Sequence, residues 1–288
     1  MQNKENTKKR KIAPIIFIGA LAALFALWYY NNFTIKTVHT EITSDKVQND
    51  VKIALISDLH GMEFGEDNKN LIGTIDAEKP DIVVVCGDMM TSTNPEKTIP
   101  VAVGLLSDLA EKYPVYFADG EHDKIFESFH TDLQNANVTT TPMYDVENYY
   151  NISCFEDTIT VGETQIYIGG VSYYSDFYFD MNEYITIPDD VFSIFLCHIP
   201  QIDEFEKIGA DLTLSGDTHG GIIQLFGPAY FEGEWFPELT GSNTPVYDKG
   251  LFDYEGGQMY VTSGLGAYPI PARFNNRPEV CFITITPE

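Results

Sequence analysis

Lys52-Ile-Ala-Leu-Ile-Ser-Asp-Leu-His60 decides how this chain is read. A short, continuous apolar run is the pattern of a strand buried on both faces. Here it ends on an aspartate and a histidine, two side chains that ligate hard and borderline divalent metals. The same order recurs along the chain. Ile82-Val-Val-Val-Cys86 runs into Gly87-Asp88-Met89-Met90, and Pro114-Val-Tyr-Phe-Ala118 leads to Gly120-Glu121-His122-Asp123. Phe192–Leu196 precedes Cys197-His198-Ile199-Pro200, and Asp211–Leu214 precedes Gly216-Asp217-Thr218-His219-Gly220-Gly221. Four of the six histidines lie in these pieces. One such piece means little, but five in this order point to a two-metal hydrolase.

Between the strands the periodicity turns helical. A helix is expected over 66–79 through Leu71, Ile72 and Ile75, and another over 98–112 through Val101, Leu105, Leu106 and Leu109. Pro100 suits only the first turn of the latter. A short helix is expected near 202–208. Thr158–Val161 and Gln165–Ile168 flank Gly162-Glu163 as a hairpin, and Met259–Thr262 and Val280–Ile285 close the chain as strands. Residues 226–250 show no period and are expected to form a long loop. Strands alternating with helices imply βαβ units and a largely parallel sheet, hence a mixed α/β fold. In such sheets ligands gather at the carboxyl ends of strands, where Asp58, Asp88, Glu121, His198 and Asp217 fall.

The 288 residues suffice for one large α/β domain or two small ones. The net charge of -26 is unevenly spread. Lys4, Lys8, Lys9, Arg10 and Lys11 make the first twelve residues basic, which leaves -30 for the remainder. A surface so acidic repels nucleic acid, and no nucleic-acid partner is expected. After the basic residues 1–12, the uncharged segment 13–35 has the length of a membrane-spanning helix, with Trp28, Tyr29 and Tyr30 as an interfacial belt. The basic cluster should remain in the cytoplasm. This predicts a single-pass signal-anchor in the cell membrane, a polar stalk at 36–50 and an extracytoplasmic domain at 51–288. Cleavage near residue 30 is the rival reading. Cys86 and Cys197 lie inside apolar runs and read as buried free thiols.

With these pieces in order, the chain resembles the calcineurin-like metallophosphoesterase family, whose pattern is DxH, GD, GNH(D/E), H, GHxH. The tail, Ser263-Gly-Leu-Gly-Ala267 with Pro271–Glu279, is similar to a membrane-anchored bacterial branch. The resemblance implies a central β-sandwich flanked by helices and two divalent metal ions. Asp58, His60 and His219 would hold one metal, and Glu121, His198 and Asp217 the other. Asp88 would bridge them, and His122 would stand beside the scissile phosphate as a catalytic group that donates a proton or stabilises the transition state. A hydroxide between metals about 3.5–4 Å apart would attack phosphorus in line with the leaving oxygen. Phosphodiesters, pyrophosphates or phosphomonoesters would be the substrates. The anchor and the aromatic segments at 143–180 and 226–236 suggest a lipid-linked or cell-envelope one. Two positions depart from the pattern, Glu121 for Asn and Asp217 for His. Both substitute carboxylates for neutral ligands and favour Mn or Mg over Zn or Fe, with Ca also oxygen-seeking. The rival is a catalytically weakened metal-binding or interaction protein that retains the fold. Arg273 is a candidate substrate phosphate contact, while His39 and His130 read as surface residues.

Overall fold

Continuous apolar runs are what a strand covered on both faces requires, because successive side chains point opposite ways. The structure, a computed structural model, describes residues 2–123, 127–141, 153–175, 178–224 and 247–288. One six-stranded sheet holds β1 (Lys36–Ser44), β2 (Val51–Ile56), β3 (Ile82–Cys86), β4 (Val115–Ala118) and β5 (Thr139–Thr140), with the last strand of the chain inserted between β1 and β2. The second holds β6 (Cys154–Val161), β7 (Thr164–Val171), β8 (Phe192–Leu196), β9 (Leu212–Ser215), β10 (Gly250–Tyr254) and β11 (Gly257–Val261). The inserted strand is β12 (Glu279–Pro287), parallel to β1 and antiparallel to β2. β2 through β5 are parallel to one another, as are β7, β8, β9 and β11.

Period two divides each run between layers. Ile53, Leu55, Ile82 and Val84 face Ile166, Ile168, Ile194, Leu196, Leu212 and Leu214 between the sheets. Ala54, Ile56, Val83 and Val85 face outward. They pack there on α2 (Lys69–Glu78), α3 (Pro95–Ala110) and α4 (Glu127–Asn135). Tyr167, Phe195 and Met259 pack on α5 (Ile202–Ile208) through Phe205 and Ile208. The result is the expected sandwich flanked by helices. Each fully buried aliphatic side chain contributes on the order of 1.5–3 kcal/mol.

The structure departs from expectation in four places. α3 begins at Pro95, three residues early, so Pro100 falls in its second turn, where it donates no N–H. Residues 36–50 are not a stalk: Lys36–Ser44 pairs with Glu279–Pro287 over nine residues. This strand reads as polar because it is an edge, and Ile42 is its one buried side chain. His130 is buried, not on the surface. The loop expected over 226–250 ends in β10, and up to residue 246 it lies outside the described residues, as do the aromatic segment at 226–236 and residues 143–152 and 176–177 of the one at 143–180. All four cysteines are free, Cys86 and Cys197 among the buried ones. Upstream, α1 (Gln2–Phe33) contains a stretch, Pro14–Phe33, of 20 residues and mean hydropathy 1.6, long and apolar enough to cross a membrane.

A chain truncated to begin at Val51 would open the edge of β12 and remove Ile42 and Val47 from the core. Relative to a chain beginning at Lys36, it is expected to elute as soluble aggregate in size-exclusion chromatography. Equal monomer recovery would show that β1 is dispensable.

Candidate metal centre

Parallel strands bring their carboxyl ends to one edge of a sheet, and the sandwich stacks the two edges. Asp58 and His60 follow β2, Asp88 follows β3, Glu121 and His122 follow β4, His198 follows β8, and Asp217 and His219 follow β9. Backbone bonds lace the loops together. Asp58 N donates to Gly87 O at 2.9 Å, His60 N to Asp88 O at 3.0 Å and Gly61 N to Met89 O at 2.9 Å. Gly216 N reaches His198 O at 2.9 Å in the second sheet. Gly87, at φ +83°, is a point of close approach: a Cβ there would stand 2.6 Å from His198 Nδ1 and 2.7 Å from Gly120 N.

Five of the candidate ligands have left-handed backbones: Asp58 (φ 53°), His60 (49°), Asp88 (53°), Asp217 (68°) and His219 (49°). Aspartate and histidine visit this region more readily than most residues, but each visit costs roughly 1–2 kcal/mol. Strain concentrated on the residues that also carry ligand chemistry marks a functional site.

The side chains meet as follows. His60 Nε2 lies 3.1 Å from His219 Nε2. Asp88 Oδ2 lies 3.8 Å from His60 Nε2 and 3.4 Å from His198 Nε2. His198 Nδ1 donates to Cys86 O at 2.7 Å, which leaves Nε2 facing Asp88 and, at 3.7 Å, Asp217 Oδ1. Among the described residues, three groups converge closely enough to hold a cation: Asp58 with His60 and His219; His60 with Asp88 and His122; and Asp58 with Asp88 and His198.

Burial sets the charge states. It lowers the His60 imidazole to about 4, and lowers His219 too, where His60 and Arg273 add to the effect. Both rings therefore offer lone pairs at neutral pH. Burial raises Asp58 to about 7 and Asp217 to about 6, with His198 opposing in each case. Burial also acts to raise Asp88, but His198, His60 and His122 outweigh it and hold this carboxyl well below the usual range. Asp58 Oδ2 and His198 Nε2 are buried without a hydrogen-bond partner. Burial acts to lower His198, but Asp88, Asp217 and Asp58 outweigh it and hold that ring well above its usual range. Buried carboxylates that draw a positive charge between them, beside the neutral imidazoles of His60 and His219, fit divalent cations.

The expected residues do not all take their expected places. Glu121 and Asp217 both stand outside the three converging groups; Asp217 Oδ1 comes only to 3.7 Å from His198 Nε2, and Glu121 is turned further away. The Glu121 side chain is 48% exposed, with Oε1 3.5 Å from His122 Nε2. Arg273 is not a phosphate contact. Its guanidinium is buried and donates to Ser263 O at 2.6 Å, His219 O at 3.3 Å and the carbonyl of Gly266. Closing carbonyls behind a ligand histidine consumes the donors a phosphate would need.

Three further residues shape the site. Asp123 accepts Met89 N at 2.9 Å and Met90 N at 3.1 Å on one oxygen, and Asp88 N at 2.6 Å and Gly120 N at 2.9 Å on the other. Burial pushes its pKa up and Asp88 adds to this, while the N–H donors of Gly120 and Met90 oppose them. Its position next to His122 is the one sequence signal for it. Asp119, also buried, accepts from Ser172 at 2.8 Å and from Thr141. Tyr268 lies against the rings of His60 and His122 at centroid distances of 5.2 and 4.6 Å, and no pattern near residue 268 announces this.

Asp123→Asn would turn an amide NH2 towards two backbone donors. The full chain in detergent is expected to lose about 2 kcal/mol or more, read as a lower Tm. An unchanged Tm would show that the loops hold without the carboxylate.

The family profile described as calcineurin-like phosphoesterase matches residues 51–221, more than half of the chain. A metallophosphoesterase of Bacillus subtilis, YkuE, is 28% identical over 240 residues, covering 81% of this chain and 78% of that protein. A metallophosphoesterase of Helicobacter pylori strain J99 is 26% identical over 289 residues, covering 94% and 70%. Among solved structures, an archaeal phosphodiesterase aligns over 76% of this chain and 87% of its own, at 10% identity and a TM-score of 0.39. With the profile spanning the strand ends that carry the ligands, the chain belongs to the calcineurin-like phosphoesterase family and is a phosphoester hydrolase.

Proposed function

We propose that the chain hydrolyses phosphate esters at the cell envelope with two divalent cations, held at neighbouring sites that share a carboxylate. The observation that carries this reading is Asp88 Oδ2, which lies between His60 Nε2 and His198 Nε2 at 3.8 and 3.4 Å. Asp58, His60 and His219 would hold the first ion; His198 and Asp217 would hold the second, with Asp88 serving both. Bound there, the ions supply Lewis-acid activation of water and neutralise phosphate charge. They also offset the repulsion between an acidic domain and an anionic substrate.

His122 takes the remaining role. Its backbone N donates to Asp88 Oδ1 at 2.8 Å, which fixes the residue to the shared carboxylate. Its ring is walled by Tyr268 and His60, and its Nε2 faces Glu121. From this position the imidazolium can deliver a proton to the departing oxygen as the P–O bond breaks. Glu121 then faces His122 rather than a cation. Asp217, with Oδ1 3.7 Å from His198 Nε2, would serve as an oxygen donor at the second site and favour Mn or Mg there.

Placement in the envelope is supported by the apolar stretch Pro14–Phe33 with Lys8-Lys9-Arg10-Lys11 before it. Positive residues stay cytoplasmic, so the domain after the span faces outward. Lipid-linked phosphate esters are substrates that such a tethered site meets.

Full-length protein in detergent, stripped by chelator, would be assayed with bis-p-nitrophenyl phosphate and Mn, Mg, Ca, Zn or Fe(II). Activity restored by Mn or Mg and abolished by Asp88→Ala is the expected outcome, with His122→Ala reducing kcat by about 10²-fold or more. Activity that survives chelation would overturn the reading. In the same assay Asp217→His is expected to move the preference towards Zn or Fe(II), and an unchanged order would remove Asp217 from the ligand set.

A further inference from the structure

Among the described residues, side chains at the carboxyl end of α1 are hydrogen-bonded to the segment 271–277 of the domain. Trp28 Nε1 donates to Pro271 O at 2.8 Å. Asn32 Oδ1 accepts Arg273 N at 2.8 Å, while its amide donates to Trp28 O at 2.8 Å and Arg273 O at 3.1 Å. Asn31 repeats the device, accepting Asn275 N at 2.8 Å and donating to Leu27 O at 2.8 Å. The Arg277 guanidinium lies 4.5 Å over the Tyr30 ring and donates to Ile35 O at 2.6 Å. Asn32 is only 1% exposed.

This seam fixes depth. Trp28 precedes Phe33, the end of the apolar stretch, by five residues, roughly 7.5 Å of helix at 1.5 Å per residue. The interfacial zone of each leaflet is about 5–8 Å thick. A bilayer that embeds Pro14–Phe33 therefore reaches Pro271. The loop at that depth is suited to it. Tyr268-Pro-Ile-Pro-Ala272 carries no charge, two of its five residues lack an N–H, and the Pro271 carbonyl is already taken by Trp28. Ile270 and Phe274 are 52% and 41% exposed. Apolar side chains exposed at that level face hydrocarbon or headgroups rather than bulk water.

We propose that residues 268–274 are a bilayer-docking surface, with Ile270 and Phe274 inserted at the headgroup–acyl boundary beside the anchor. The proposal rests on α1 being a membrane span. It sets the metal centre at the membrane surface, because Tyr268, whose ring walls His60 and His122, is three residues from Pro271, at most about 11 Å of chain. With -30 on the chain beyond residue 12, the contact is apolar rather than electrostatic. It should therefore persist in zwitterionic lipid and at high salt.

The test uses the full chain in phosphatidylcholine nanodiscs, with Cys154→Ser to remove the one cysteine that is not buried. An environment-sensitive fluorophore is placed by Ile270→Cys or Phe274→Cys. Controls are Leu21→Cys in α1 and Glu255→Cys at the β10–β11 turn, on the opposite edge of the sandwich. Lipid-borne nitroxide is expected to quench the labels at 270, 274 and 21, at low and high salt, and aqueous iodide only the label at 255. Quenching of 270 and 274 by iodide while 21 responds to lipid would overturn docking and leave the anchor intact. Iodide quenching at 21 would overturn the span and docking with it. Protection of 270 and 274 from both quenchers would mean that protein, such as a second copy of the chain, covers the loop, and would also overturn docking.

Discussion

The buried carboxylate of Asp123 accepts four backbone N–H groups, from Asp88, Met89, Met90 and Gly120, and the metal centre hangs from them. Without that carboxylate the loop after β3 would carry three buried donors and no acceptor, a cost of roughly 1–3 kcal/mol for each. With it, Asp88 is pinned in a left-handed conformation that sends its carboxylate to the junction of both ligand sets. Asp88 Oδ1 then fixes His122 N, and Asp88 O receives His60 N. One anion thus transmits the positions of β3 and β4 to the ligands of both sheets. The strain at five candidate ligand residues is sustained because these bonds over-determine the loops.

The core strands were readable because their apolar runs are unbroken and end in residues with ligand chemistry. β1 was not. Lys-Thr-Val-His-Thr-Glu-Ile-Thr-Ser has one buried position, and its partner β12 lies at the other end of the chain, so nothing local distinguishes it from a polar tether. β10 hides similarly behind Gly and Asp, with no fully buried side chain. Among site residues, Asp58, His60, Asp88, His198 and His219 follow from residue type and strand end together. Arg273 misleads because a lone cation near a phosphate site suggests an anion contact. Its actual partners are backbone carbonyls brought close only by tertiary folding. Tyr268 is invisible for the same reason.

The two departures from the family pattern part company in space. Asp217 sits directly after β9, and its N–H donates to Asp58 Oδ1 at 3.1 Å, so its backbone is tied to a ligand of the other set. A short side chain so placed has little choice but to face His198. Glu121 is one methylene longer and its backbone carbonyl is held from outside by Tyr174 Oη at 2.6 Å. Its carboxylate leans towards His122 and solvent. Equal formal charge at two positions therefore falls in different surroundings: one carboxylate faces the His198 imidazole from within, the other faces His122 and solvent.

Arg273 joins the two ends of this molecule. Its main chain is bracketed by Asn32 at the end of α1, and its side chain closes the carbonyls of Ser263, Gly266 and His219. Burial lowers its pKa to about 10, while Asp58 and Glu279 oppose the fall, so it stays charged at neutral pH. A positive charge behind His219 discourages protonation of that ring and keeps a lone pair available in front of it. A buried guanidinium so costly to desolvate is retained here because moving it would unseat a metal-type ligand and the foot of the helix together.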